Sequence, residues 1–309
     1  MKILVPIDLS PSSHNAVEFV ASREALLSSG SAARIEILNV QQPLKRRSTF
    51  LLGQGSIDRY YEEHAERVFT RSRAILNREG LYVQETMLVG VPDQTIAEEA
   101  ERIGADLIVM GTRGLGALMG LFKTSVSTGV VALAKCPVLL IRNGQSPKAD
   151  KLKVGIAVDG SSFGAAAAKY VIRHRKLYGK DAEFFLLNVV NDYHGAAFTN
   201  VTGMALPSLS EEEVKELEKN DFEDAVSKVR PIFEKAGIKA KEVCLVGSPA
   251  DELSAYAKAN GLDLLVLGSH GYTRLKSAVM GSCAAALAEK GSVPILVVQN
   301  PNAGEDEEQ

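Results

Sequence analysis

Residues 90–114 and 247–271 of this 309-residue chain are two versions of one sequence, GVPDQTIAEEAERIGADLIVMGTRG and GSPADELSAYAKANGLDLLVLGSHG. A constant offset of 157 superposes Gly90 on Gly247, Pro92 on Pro249, Gly104 on Gly261, Asp106 on Asp263, Gly111 on Gly268 and Gly114 on Gly271. The same offset superposes Pro137 on Pro294. Upstream, Asp8 matches Asp159 at an offset of 151, and Asn39-Val40 matches Asn188-Val189 at 149. Drifts of a few residues mark loop insertions within a shared fold, so the repeat constrains the architecture before any single element is assigned. The chain is expected to be two copies of one domain, residues 1–143 and 151–300, followed by an acidic tail at 301–309. Asn143-Gly144-Gln145-Ser146-Pro147 reads as a short polar linker between them.

Within each copy, strands and helices alternate. First-copy strands are expected near 2–7, 34–40, 82–89, 106–110 and 137–142, and helices near 12–29, 57–79, 92–103 and 125–134. Leu107-Ile108-Val109-Met110 is apolar without alternation, the pattern of a strand covered on both faces in a parallel sheet. Ser10-Pro11 supplies a helix start. The second copy repeats the pattern, with a long helix near 210–236. The fold class is therefore α/β: two tandem doubly wound, five-stranded parallel-sheet domains whose topology is restricted by right-handed crossovers. Two loops, 41–56 and 191–209, each follow the second strand and exceed an ordinary βα connection.

Composition excludes several function classes. The net charge is −3, and Glu305, Asp306, Glu307 and Glu308 in the tail carry more than that, so nothing global points to nucleic acid. Lys45-Arg46-Arg47 is too short to change this. No apolar run approaches the roughly 20 residues of a membrane span. The strand-like opening Met1-Lys2-Ile3-Leu4-Val5 lacks the tripartite pattern of a signal peptide, so the expected compartment is the cytoplasm. Three cysteines make no disulfide framework; Cys136 and Cys244 are expected to be small buried hydrophobes. The five histidines lack metal-ligand spacing, and no structural zinc is expected.

Ligands of open α/β sheets bind beyond the C-terminal strand ends, where the winding reverses. Asp8 and Asp159 end the first strand of each copy, and Gly111 and Gly268 end the fourth. If those strands are neighbours, each copy has one crevice framed by these residues. Gly268 and Gly271 would allow close backbone approach and positive φ. Gly281-Ser282 precedes the helical run Cys283 to Lys290, whose free N–H groups suit a phosphate. Cys283 stands where a helix dipole favours thiolate, but a packed, inert thiol is the favoured reading of a buried cysteine there.

Gly268-x-x-Gly271, nine residues, then Gly281-Ser282 resembles the ATP-binding signature of the universal stress protein family. The aspartates ending strand one, the Asn-Val of strand two, and Cys136-Pro137-Val138-Leu139 or Val293-Pro294-Ile295-Leu296 at strand five resemble the family as well. The resemblance implies an adenine nucleotide alpha hydrolase-like fold, with adenosine held by Asp159 and Val189. It implies ribose and phosphates at Gly268, Gly271, Gly281 and Ser282, with Ser269, His270 and Cys283 beside them. Ala157, Val158 and Leu267 would line the crevice through their backbones. The implied ligand is ATP, free or with Mg2+. The implied partners are an intramolecular pseudo-dimer made through the fifth strands, or a second copy in a homodimer. The first copy departs from the signature: Thr124 stands where the second has Gly281, although Ser125 matches Ser282.

Other readings compete. Asp8 and Asp159 also suit a helix-capping turn. Arg113 and His270 could touch a phosphate or remain solvated, and the Glu98-Glu99 and Glu211 to Glu213 groups read as solvated helix faces. No nucleophile–base–acid set is evident, so any enzyme activity is at most slow ATP hydrolysis. An adenylating ATP pyrophosphatase would carry an SGGxDS-type loop, which Asp159-Gly160-Ser161-Ser162-Phe163 lacks. A partner-binding stress protein with neither site filled is the remaining alternative.

Overall fold

Each continuous apolar run becomes a strand buried between helices. The computed structural model describes residues 1–23, 34–44, 53–76, 82–112, 125–142, 144, 146–147, 151–193, 209–270 and 280–299. In the first half the strands are β1 Lys2–Pro6, β2 Arg34–Gln41, β3 Tyr82–Val89, β4 Leu107–Thr112 and β5 Val138–Arg142. The second half repeats them as β6 Lys153–Ala157, β7 Glu183–Val190, β8 Ala240–Val246, β9 Leu264–Gly268 and β10 Ile295–Val298. First-half helices are α1 Pro11–Ser22, α2 Gln54–Leu76, α3 Pro92–Ile103 and α4 Val126–Leu133. Second-half helices are α5 Ser162–Arg173, α6 Glu211–Ser227, α7 Arg230–Lys235, α8 Pro249–Asn260 and α9 Ser282–Lys290.

The sheet order is β3-β2-β1-β4-β5-β10-β9-β6-β7-β8. All pairs within a half are parallel, whereas β5 and β10 run antiparallel with Leu139 opposite Leu296. Two apolar edges thereby satisfy each other's backbone groups rather than facing water. Arg142 Nη1 donates to the Gly291 carbonyl at 2.7 Å, and the Tyr170 hydroxyl to the Asp106 carbonyl at 3.0 Å, so side chains also cross between halves. Each sheet face carries one apolar core that runs through both halves, one under α1, α2, α5, α6 and α7 and the other under α3, α4, α8 and α9.

Two expectations are corrected. The long helix near 210–236 is broken between Ser227 and Arg230. Pro231 has no N–H to give the Ser227 carbonyl, and its ring crowds that turn. Cys244 is exposed rather than buried, because β8 is an edge strand, with a neighbour on one side only among the described residues. The expected continuation of α1 to residue 29, most of the loops 41–56 and 191–209, and the tail lie outside the described residues.

Several repeated residues prove to be structural. Asp106 and Asp263 each accept the first strand's N–H, from Lys2 at 2.7 Å and Lys153 at 2.8 Å. Arg73 on α2 bridges Glu66 and Glu85; at the 157 offset, Arg230 bridges Glu223 and Glu242, tying helix to edge strand in both halves. Neither Gly111 nor Gly268 has a positive φ, so the positive φ expected of Gly268 is not why it is glycine. They permit close approach of the following strand end to the first helix. A Cβ on Gly111 would lie 2.1 Å from the Ser12 carbonyl, and one on Gly268 2.5 Å from Phe163 Cβ. Gly111→Ala should therefore cost about 1–3 kcal/mol through overpacking against immovable backbone. Gly53→Ala, where an added Cβ meets nothing within 4 Å, should be neutral. Urea unfolding of both variants checks the contrast.

Candidate functional site

In each half the first strand lies between the second and the fourth: β1 between β2 and β4, β6 between β7 and β9. Crossovers to either side leave on opposite faces, which opens a gap at the strand ends. In the second half this gap is a cleft of about 290 Å³. Ala157, Val158 and Asp159 enter it from the end of β6, Val189 from β7, and Leu267, Gly268 and His270 from β9. Gly281, Ser282 and Cys283 close it from the start of α9. Of the sequence-predicted residues, Ser269 stands behind the lining and Gly271 lies outside the described residues. Asn188, Leu253 and Met280 also line the cleft and were not anticipated; Leu253 and Met280 look like ordinary core residues in sequence.

The polar groups of the cleft are fixed by local bonds. Asp159 Oδ1 accepts from the Ser161 N–H at 3.1 Å and its hydroxyl at 2.5 Å, and Ser161 Oγ accepts the Gly164 N–H of α5 at 3.2 Å. Asp8 and Ser10 form the same turn in the first half. The capping-turn reading thus describes both aspartates, and it also orients the Asp159 carboxylate at the cleft. The turns differ in one respect: Gly160 has φ +76°, where the first half has Leu9. The Gly160 carbonyl accepts from Lys228 Nζ at 2.8 Å, which ties the turn to the end of α6. Asn188 Nδ2 donates to the Val158 carbonyl at 2.8 Å, and Asn39 does the same to Ile7 at 3.0 Å, so this repeated asparagine locks the strand ends.

The two helix starts diverge most. Gly281 is the N-cap of α9, with φ −55° and ψ 151°. Positive φ is therefore not what demands glycine here. An added Cβ would lie 2.9 Å from the Ser269 carbonyl oxygen and 3.3 Å from His270 Cα. The Gly281 N–H is also committed, donating to that carbonyl at 2.8 Å. The first-turn N–H groups of Ser282, Cys283 and Ala284 receive no capping side chain from Gly281. In the first half, Ser125 is itself the N-cap of α4, accepting the Thr128 N–H at 3.2 Å. Its hydroxyl meets those of Ser127 and Thr128 at 3.0 and 2.8 Å, and Ser127 donates to Thr112 at 3.3 Å. That helix start is satisfied from within. Thr124, Arg113 and Gly114 lie outside the described residues.

Cys283 is not a thiolate. Burial, with the Asp159 charge nearby, pushes its thiol up to about 11, against the helix dipole. His270 rests against Phe163, ring centroids 5.4 Å apart, with Nδ1 3.3 Å from Ser269 Oγ. Among the described residues no group of three or more His, Cys, Asp or Glu could hold a metal, and no helix is long and apolar enough to cross a membrane.

Two doubly wound, parallel-sheet halves, the second with a cleft at its switch point, define a tandem α/β protein of the adenine nucleotide alpha hydrolase-like class. The profile of the universal stress protein family matches residues 1–142 and again 152–299. The chain belongs to the universal stress protein family. A universal stress protein of Methanocaldococcus jannaschii is 32% identical over 162 residues, 52% of this chain and 88% of that protein. The crystal structure of a universal stress protein from Archaeoglobus fulgidus superposes with a TM-score of 0.66 at 21% identity, covering 97% of this chain and 96% of that one. A functionally unknown protein from Pseudomonas aeruginosa superposes at 0.61 with 16% identity, covering 98% and 93%. These likenesses in structure establish a shared tandem fold.

The raised Cys283 thiol has a direct consequence. Burial and the Glu218 and Asp221 charges raise exposed Cys244 as well, so in the folded chain iodoacetamide should label Cys244 at lower pH than Cys283, whose labelling should appear only as pH climbs toward about 11. Peptide mass spectrometry across a pH series reads both sites.

Proposed function

We propose that the chain binds ATP in the crevice of its second half and acts as a regulatory, stress-response binding module in the cytoplasm. The observation that carries this reading is the start of α9, which has no capping side chain at Gly281 and opens on the cleft. A helix start of this kind attracts phosphate through its N–H groups and dipole. Ala157, Val158, Val189, Leu253, Leu267 and Met280 give the cleft the apolar walls that suit a base. The anchored Asp159 carboxylate is an acceptor for adenosine N–H or O–H groups. Ser282, exposed at the helix start, can add a hydroxyl to the phosphate end. The donor set thus fits a nucleotide, and Mg2+ would ride on the phosphates. Binding rather than turnover is the proposed activity.

The first half is proposed to bind ATP weakly or not at all. Ser125 already caps its helix, and its hydroxyls bond one another. Calorimetry on the intact chain should show about one tight ATP site. Gly281→Thr puts a Cβ against the Ser269 carbonyl and displaces the helix start. Loss of one charged hydrogen bond, about 1.5–3 kcal/mol, weakens binding roughly tenfold to a hundredfold. Two equal sites, or unchanged affinity in Gly281→Thr, would refute the asymmetry.

The halves, residues 1–143 and 151–300, are further proposed to work as a docked pseudo-dimer in solution, supported by the β5–β10 pairing. Small-angle scattering of the full chain should fit one rigid particle; a profile that requires two freely reorienting bodies would overturn it.

A further inference from the structure

The first half buries two glutamates where the second half buries aromatic rings. Glu36 on β2 is 6% exposed and Glu99 on α3 is 4% exposed. The repeat superposes them on Phe185 of β7 and Tyr256 of α8. Those rings meet edge-on with centroids 6.4 Å apart, and Lys241 Nζ lies 5.1 Å from the Phe185 ring centroid. One half thus fills this strand–helix seam with apolar rings beneath a cation, and the other with two carboxyl groups.

The two carboxyls are not equivalent. Arg102 grips Glu99 with two bonds: Nε donates to Oε2 at 2.7 Å, and Nη2 donates to Oε1. Glu36 has no cation of its own among the described residues, and its buried Oε1 has no hydrogen-bond partner. From α3 it faces Glu99, with Arg102 behind; from β3 it faces the Thr86 hydroxyl, with Gln84 in register; from β1 the register residue is apolar Leu4. Two carboxyl groups facing each other out of water disfavour each other's charge, and the one without a cation is the one that burial holds toward its neutral form.

We propose that Glu36 and Glu99 form a proton-sharing pair, Glu36 bearing the proton and Glu99 the charge, so that docking of α3 on β2 in the first half responds to pH. Burial, with Glu99 beside it, raises Glu36 above the usual carboxyl range, while Arg102 holds Glu99 below it. The folded chain therefore keeps a proton on Glu36 at pH values where the unfolded chain has lost it. That contribution is full below the unfolded glutamate value and is lost as pH rises through the raised value of folded Glu36. Helix α3 also packs against α4, in the half that lacks the glycine signature.

Carbon-13 NMR of glutamate side-chain carboxyls in the full chain tests the pair directly. Wild type should show one carboxyl titrating above about 4.3, the ordinary glutamate value. Glu36→Gln should remove that titration, and Glu99→Gln should move it down by removing the neighbouring charge. If Glu36→Gln does not fold, the double variant Glu36→Phe/Glu99→Tyr imports the second half's rings and should fold without a raised carboxyl. All glutamates titrating in the ordinary range would overturn the proposal. So would a raised signal that survives Glu36→Gln, or one that Glu99→Gln leaves in place.

Discussion

The reversal of winding around a central first strand is the constraint from which the rest of this structure follows. With β1 between β2 and β4, and β6 between β7 and β9, right-handed crossovers must send helices to opposite faces on either side. The helices then diverge above the strand ends, and in the second half a cleft opens there. Its rim carries the Asp-Ser turn, the glycine beneath the first helix, and the start of α9.

The repeat conserves scaffold more faithfully than site. The Asp106 and Asp263 caps, the Asn39 and Asn188 locks, the Arg73 and Arg230 bridges, and the close approach at Gly111 and Gly268 recur in both halves. Each satisfies a backbone group, ties a helix to an edge strand, or lets a helix sit down on a strand. The halves part at other positions: Ser125 against Gly281 at the helix N-cap, Leu9 against Gly160 in the turn, and Glu36-Glu99 against Phe185-Tyr256 in the seam. One half has an internally bonded helix start and a carboxyl pair, and the other a glycine N-cap opening on a cleft beside aromatic packing.

Electrostatics in the cleft illustrates why local signals mislead. A cysteine at a helix start reads as a candidate thiolate, because the dipole is a local property visible in the sequence. Desolvation is not local. Cys283 is surrounded by residues brought from β6, β7 and β9, with the Asp159 carboxylate nearby, and burial outweighs the dipole. Cys244 errs in the opposite direction: its apolar strand context suggests burial, but among the described residues β8 has no strand on its outer side.

The sequence by itself determined the tandem organisation, the strand and helix alternation, the doubly wound class and most of the cleft lining, because repeats, apolar runs and turn glycines act through short-range chemistry. It also marked Gly281 as distinctive. The reason for that glycine came only from the tertiary structure: not a positive φ but a carbonyl, Ser269, 2.9 Å from where a Cβ would lie. Tertiary structure alone likewise decided which side of Cys244 is bare and the meeting of Glu36 with Glu99, 63 residues apart in the chain. These depend on distances between elements that no local pattern encodes, and so on how the strands are ordered and how closely the helices sit upon them.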